Sequence, residues 1–125
     1  VNFFKRSEFT CRCGCGYDTV DYELAEVLDN LRSHFSTSVD SPITVNSGCR
    51  CIEYNEKVKI KENPDYIPYS SKSKHLIGKA TDIVVEGIGP IEVYIYLANK
   101  YKGKYGIGYY ETFIHIDVGS NKRRW

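Results

Sequence analysis

No stretch of the 125 residues stays apolar for the roughly 20 positions that a membrane-spanning helix needs, so no membrane span is expected. Charge of one sign is also missing, since 17 basic and 16 acidic residues leave a net charge of +1. That balance gives no bulk attraction for a polyanion, and the closing Lys122-Arg123-Arg124 run is too short to change it, so no nucleic-acid partner is expected. No internal repeat and no linker interrupts the chain, and residues 1–125 read as a single domain large enough to build its own core. No secretory signal is visible. The chain opens on Val1 rather than Met, as a processed, trimmed or excised chain does, and the compartment stays open. Methionine is absent and tryptophan occurs once, against eleven tyrosines. Tyrosines in that number either line a binding groove or pack half-buried in a small α+β domain.

Cysteine is neither scarce nor even in number. Cys11, Cys13 and Cys15 form one cluster, Cys49 and Cys51 another, and five thiols cannot all pair. CRCGC matches neither a C-x-x-C redox site nor a paired-knuckle zinc site. Residues two apart in an extended segment face the same side, so two of these thiols can share a partner. A disulfide or buried-thiol role is expected, with a structural metal site as the alternative.

Helical spacing is plain at Val20, Leu24, Val27, Leu28, Leu31 and Phe35, with Thr19 or Asp21 as the cap. Ile43 and Val45 alternate with Thr44 as a short strand that stops at Ser47-Gly48. CRCIEYNEKVKIKE suits a short helix and runs into a loop punctuated by two prolines. KATDIVV reads as a strand. After the turn EGIGP, Pro90 begins a segment in which Val93, Leu97 and Tyr101 form a helical stripe, although Ile91, Val93 and Ile95 also suit a strand. Strands near Gly106–Tyr110 and over Phe113–Val118 complete the chain. The order indicates an α+β fold, a small mostly antiparallel sheet with helices packed on one face.

Strand alternation also sorts the chemistry. In FIHIDV, Ile114, Ile116 and Val118 share one face, and Phe113, His115 and Asp117 share the other. Asp82 begins the KATDIVV strand, and His75 stands upstream on a loop that Gly78 lets turn back. Adjacent strands could bring His75, Asp82 and His115 to one point. Two imidazoles and a carboxylate suit a single catalytic Zn²⁺ with its fourth position left for water, whose pKa falls to about 7. A nearby carboxylate could then take a proton and deliver it to the leaving amine. The competing reading is a solvated sheet face carrying ordinary histidines.

The motif Ser73-Lys-His75-Leu-Ile-Gly78-Lys-Ala80-Thr-Asp82 resembles the S-x-H-x-x-G-x-A-x-D signature of peptidase M15, the zinc D-Ala-D-Ala carboxypeptidases and murein endopeptidases, phage endolysins among them. SGCRC at Ser47–Cys51 resembles the segment that carries the family's arginine. GIGYYETFIHIDVGSNKRRW is similar to the ending of the subfamily common in phages and in bacterial murein endopeptidases. The resemblance covers roughly residues 7–125. It implies the fold shared by hedgehog domains and D-Ala-D-Ala peptidases, with His75, Asp82 and His115 as ligands of one zinc ion. It also implies a peptidoglycan stem or crossbridge peptide containing a D-amino acid as substrate, and action on the bacterial cell wall by a chain expected to be a monomer. Arg50 would bind the substrate carboxylate or the oxyanion, a role that suits a planar, permanently charged fork. Ser73 would bind substrate or hold its loop. Gly78 and Ala80 are small where the loop passes close to sheet or metal, and Trp125 is expected to cover core.

One departure from the family pattern affects the proton acceptor. Other branches place an acid three residues before the last histidine, where this chain has Thr112. Asp117 is the preferred general base and Glu111 the second choice, with orientation of His115 as a rival role for Asp117. Tyr105, Tyr109 and Tyr110 are candidate groove residues. The rival functions are a non-catalytic module that binds cell-wall peptide or builds a phage particle, and a structural zinc domain built on the cysteines.

Overall fold

The structure is a computed structural model that describes residues 4–37, 39–119 and 121–125. Its first helix, α1 (Tyr22–Phe35), buries Leu24, Val27, Leu28 and Leu31 along the stripe that the spacing predicts. Asp21, not Thr19, caps it: the carboxylate accepts the Glu23 amide at 2.9 Å and satisfies one of the free N–H groups of the first turn. The segment ahead of α1 contains a short 3₁₀ turn, Arg6–Phe9, that buries Phe9.

Five strands follow: β1 (Ile43–Ser47), β2 (Ala80–Val85), β3 (Gly106–Tyr109), β4 (Ile114–Asp117) and β5 (Arg123–Arg124). They form one sheet in the order β1-β2-β4-β3-β5, antiparallel throughout except that β5 runs parallel to β3. Two helices interrupt the strands, α2 (Ile52–Glu62) and α3 (Pro90–Lys100). The alternative of a strand after Pro90 fails on burial. Val93 and Leu97, four apart, are buried, whereas Ile91 and Ile95 are exposed, which is helical phase with proline in the first turn.

One face of the sheet carries Ile83, Val85, Ile107, Ile114 and Ile116, which pack with the α1 leucines and with Val93 and Leu97 of α3. Each fully buried aliphatic side chain of this kind contributes roughly 1.5–3 kcal/mol relative to exposure. α2 supplies no residue to that core, and its buried residue is the polar Asn55.

Two local irregularities position the other face. The β1–β2 register pairs Val45 with Ile83 and then Ser47 with Asp82, skipping one residue of β1. Such a bulge turns the chain, and here it carries Gly48 and Arg50 toward the Asp82 side. Second, a 3₁₀ turn at Lys74–Ile77 ends on Gly78, whose φ of 69° is left-handed. A Cβ at Gly78 would lie 2.5 Å from the Thr19 carbonyl oxygen. Glycine is therefore required twice over, for the conformation and for the close approach. The short β5 was not foreseen, because two residues show no alternation.

Candidate metal centre and its cavity

Antiparallel pairing of β2 with β4 sets Asp82 directly opposite His115. Both side chains leave the face away from the aliphatic core, because Ile83, Ile114 and Ile116 take the inward positions. His115 Nδ1 lies 2.9 Å from Asp82 Oδ1. His75 arrives from the 3₁₀ turn. The Ser73 hydroxyl caps that turn by accepting the His75 amide at 3.2 Å, and the Lys79 amide closes it on the Lys74 carbonyl at 3.0 Å. His75 Nε2 stands 3.6 Å from Asp82 Oδ2. One donor atom each from His75, Asp82 and His115 falls within 4.8 Å of the others.

The outward nitrogens of both rings are engaged. His75 Nδ1 is 2.6 Å from the Gly48 carbonyl oxygen, so it carries the proton and leaves the Nε2 lone pair facing Asp82. His115 Nε2 is 2.7 Å from Asp117 Oδ2, which leaves Nδ1 facing Asp82. A carbonyl behind one imidazole and a carboxylate behind the other are the supports that metal-binding histidines use. Two nitrogens and one oxygen so arranged fit three of the four tetrahedral positions around zinc.

Electrostatics reflect this packing. Burial works against the charged form of Asp82, yet without a metal the His115 and His75 rings, when protonated, outweigh it and hold its carboxyl far below the usual range. Burial also opposes charge on His115, but Asp117 and Asp82 outweigh it and raise its pKa. Asp117 is 1% exposed and also meets Arg123 Nη2 at 2.8 Å. Gly106 sits across from Asp117 in the β3–β4 register, and a Cβ there would come within 2.5 Å of both carboxylate oxygens. The Gly106-x-Gly108 spacing thus clears one place for Asp117 and a second for the Trp125 indole, which lies over Gly108.

Arg50 is 8% exposed. Its amide donates to the His75 carbonyl at 2.9 Å, Nη1 donates to Asn55 Oδ1 at 3.3 Å, and Nη2 lies 3.9 Å from Asp82 Oδ2. Its Nε is buried with no hydrogen-bond partner among the described residues. A buried guanidinium donor left open is costly.

These groups line a cavity of about 480 Å³. Arg50, Lys59, Lys72, Lys74 and Arg123 outnumber Glu62, Asp82 and Asp117 on its walls, and Ser73 belongs to the lining. One wall is aromatic. Tyr110 stacks on Phe113 with ring centres 4.4 Å apart, and its hydroxyl accepts the Trp125 indole N–H at 2.9 Å. Trp125 is 44% exposed and lines the cavity beside His115, so the expectation that it covers core is corrected: β5 turns the last residue toward the site face. Of the three candidate groove tyrosines only Tyr110 is there. Tyr105 is buried against Tyr101, and Tyr109 meets Tyr94 edge-on. Glu111 is exposed and outside the lining. Asn55, Arg123 and the lysines are additions that sequence reasoning missed. Arg123 lies in the noted basic run, and Asn55 carries no signal beyond being polar in a helix.

No helix among the described residues is long and apolar enough to cross a membrane. No curated protein and no solved structure matches the chain. The family model of peptidase M15 matches residues 2–117, which include His75, Asp82, His115 and Asp117. The motifs, the antiparallel sheet and the converging donors agree with that match, and the chain belongs to the peptidase M15 family, whose members are zinc-dependent peptidases.

Proposed function

We propose that the chain hydrolyses a peptide bond in peptidoglycan stem or crossbridge peptides, at a position involving a D-amino acid, and that His75, Asp82 and His115 hold its catalytic zinc. The observation that carries this reading is the meeting of the three donor atoms within 4.8 Å in a cavity open to a peptide. Zinc held there supplies Lewis acidity and activates water at neutral pH. The excess of basic groups on the cavity walls favours carboxylate-rich peptides, and stem peptides are rich in carboxylates. Arg50, which lines the cavity, takes the substrate carboxylate or the oxyanion. Ser73 fixes the His75 turn and lines the cavity. Asp117 keeps the proton on His115 Nε2 and so aims the Nδ1 lone pair at Asp82.

A second reading, a wall-peptide binder with the same centre, draws on one observation. Thr112 replaces the acid of other family branches, while Asp117 is already bound to His115 and Arg123. Incubating the zinc-loaded chain with purified peptidoglycan, followed by mass spectrometry of the released fragments, separates the two. Hydrolysis predicts new peptide termini from the wild type and none from His75→Ala. Retention on peptidoglycan without any cleavage supports the binder, and equal cleavage by His75→Ala removes the zinc centre from the reaction.

A further inference from the structure

The five cysteines divide four to one. Cys49 is buried, and its Sγ lies 3.1 Å from the Phe9 carbonyl oxygen and 3.0 Å from that of Tyr17, which share the hydrogen of a protonated thiol. The other four meet at a second place. The loop after Cys11 folds back, with the Cys11 amide on the Tyr17 carbonyl at 2.7 Å, and so brings Cys13 and Cys15 toward Cys51 at the start of α2. The Sγ atoms of Cys11 and Cys13 are 3.5 Å apart, those of Cys11 and Cys51 3.8 Å, and those of Cys13 and Cys51 3.6 Å. Cys15 completes a set of four sulfurs that all lie within 4.8 Å of one another.

These separations decide between two chemistries. A disulfide needs sulfurs about 2.05 Å apart, and the cysteines here are free. Four thiolates around one zinc ion, each about 2.3 Å from it, stand at the corners of a tetrahedron whose edges are about 3.8 Å. The three separations above match that edge. Backbone amides also point at the sulfurs: the Cys51 amide lies 3.4 Å from Cys11 Sγ, and the Tyr54 amide lies 3.4 Å from Cys51 Sγ. N–H groups aimed at sulfur stabilise the thiolate that a metal requires.

We propose that Cys11, Cys13, Cys15 and Cys51 bind a second, structural zinc ion, separate from the His75–Asp82–His115 centre. Four protein ligands close the coordination sphere, so this ion takes no part in hydrolysis. Its effect is mechanical. It clips the N-terminal loop to Cys51, whose neighbour Arg50 reaches the cavity and holds the His75 carbonyl.

The full chain, purified under reducing conditions, allows a direct test by native mass spectrometry and by cobalt(II) absorption. The wild type should carry two zinc ions and, loaded with cobalt, show a thiolate-to-metal charge-transfer band. The His75→Ala/Asp82→Ala/His115→Ala variant should lose one ion and keep the band, so failure of the catalytic-centre reading leaves this readout intact. Cys13→Ser/Cys15→Ser should lose the band. Should that variant not fold, alkylation of the wild type serves instead. Cys13 and Cys15 are exposed, yet zinc should shield them from iodoacetamide until a chelator is added. Equal labelling with and without zinc, or a cobalt-loaded wild type without the band, overturns the proposal.

Discussion

His115 Nε2 and Asp117 Oδ2 lie 2.7 Å apart, with Arg123 Nη2 on the same carboxylate oxygen at 2.8 Å. The carboxylate therefore stands behind the imidazole, on the nitrogen turned away from Asp82. A general base and a support for the imidazole differ in what their loss does. Loss of a support weakens metal binding by about 10–100-fold, because the imidazole loses both orientation and basicity. Loss of a base leaves metal binding intact and slows turnover alone. Asp117→Ala is expected to show the first pattern, read by zinc competition with a chromophoric chelator beside peptidoglycan turnover. Wild-type zinc affinity with lost turnover would return Asp117 to the role of base.

Gly106 makes the neighbouring prediction. Its α-carbon faces Asp117 across the β3–β4 ladder, and the space that a methyl group would need is filled by the carboxylate. Gly106→Ala should displace Asp117 from His115. Overpacking at such a site costs roughly 1–3 kcal/mol, so both the thermal midpoint and the zinc affinity should drop. The nearest atoms to the methyl group of Gly108→Ala belong to the partly exposed Trp125 indole, which can swing outward. This substitution should lower the midpoint less and leave zinc binding near wild type. A reversed order in calorimetry and zinc titration contradicts this account.

What could be read from the sequence follows from period and pairing. The α1 stripe and the alternation in β2 and β4 are strong local signals, and they place Asp82 and His115 on one face before any coordinates are known. The 3₁₀ turn that delivers His75 is marked by Ser73 and Gly78, residues with special backbone roles. α2 carries no apolar stripe, since Ile52 and Ile60 are exposed, so nothing local announces that Asn55 turns inward to hold Arg50. β5 has two residues and no period, which hid both the Arg123–Asp117 contact and the arrival of Trp125 at the cavity. The odd cysteine count left several roles open, because pairing depends on the loop that joins Cys11 to Cys15.

Arg50 separates binding from metal retention. Lysine keeps the charge but not the planar fork, and it cannot reproduce the contact of Nη1 with Asn55 while also meeting a ligand. Arg50 is not among the three converging donors, so Arg50→Lys should retain zinc. It should lose roughly 10²-fold in kcat/KM, the scale of one removed oxyanion donor. Steady-state kinetics on a defined stem peptide, with zinc content measured on the same sample, tests both halves. Unchanged kcat/KM would confine Arg50 to holding the His75 turn.

Away from the cavity, Tyr105 sets an alkaline limit on stability. Burial raises its phenol pKa first, and donation to Glu23 Oε2 at 2.5 Å with the Glu23 charge beside it raises it further. The native state thus holds this proton more tightly than the unfolded chain, whose tyrosines ionise near pH 10. Below that pH the contribution is present in full. As pH rises past it the unfolded state binds fewer protons than the native state, and stability falls until the native phenol also ionises. Tyr105→Phe removes the Glu23 hydrogen bond and should cost about 1 kcal/mol at neutral pH. Its stability should then fall less steeply above pH 10, so the two denaturation curves converge. Tyr101, also raised by burial, keeps part of the slope in the variant. Urea denaturation at a series of pH values measures this, and parallel curves above pH 10 would show that Tyr105 ionises alike in both states.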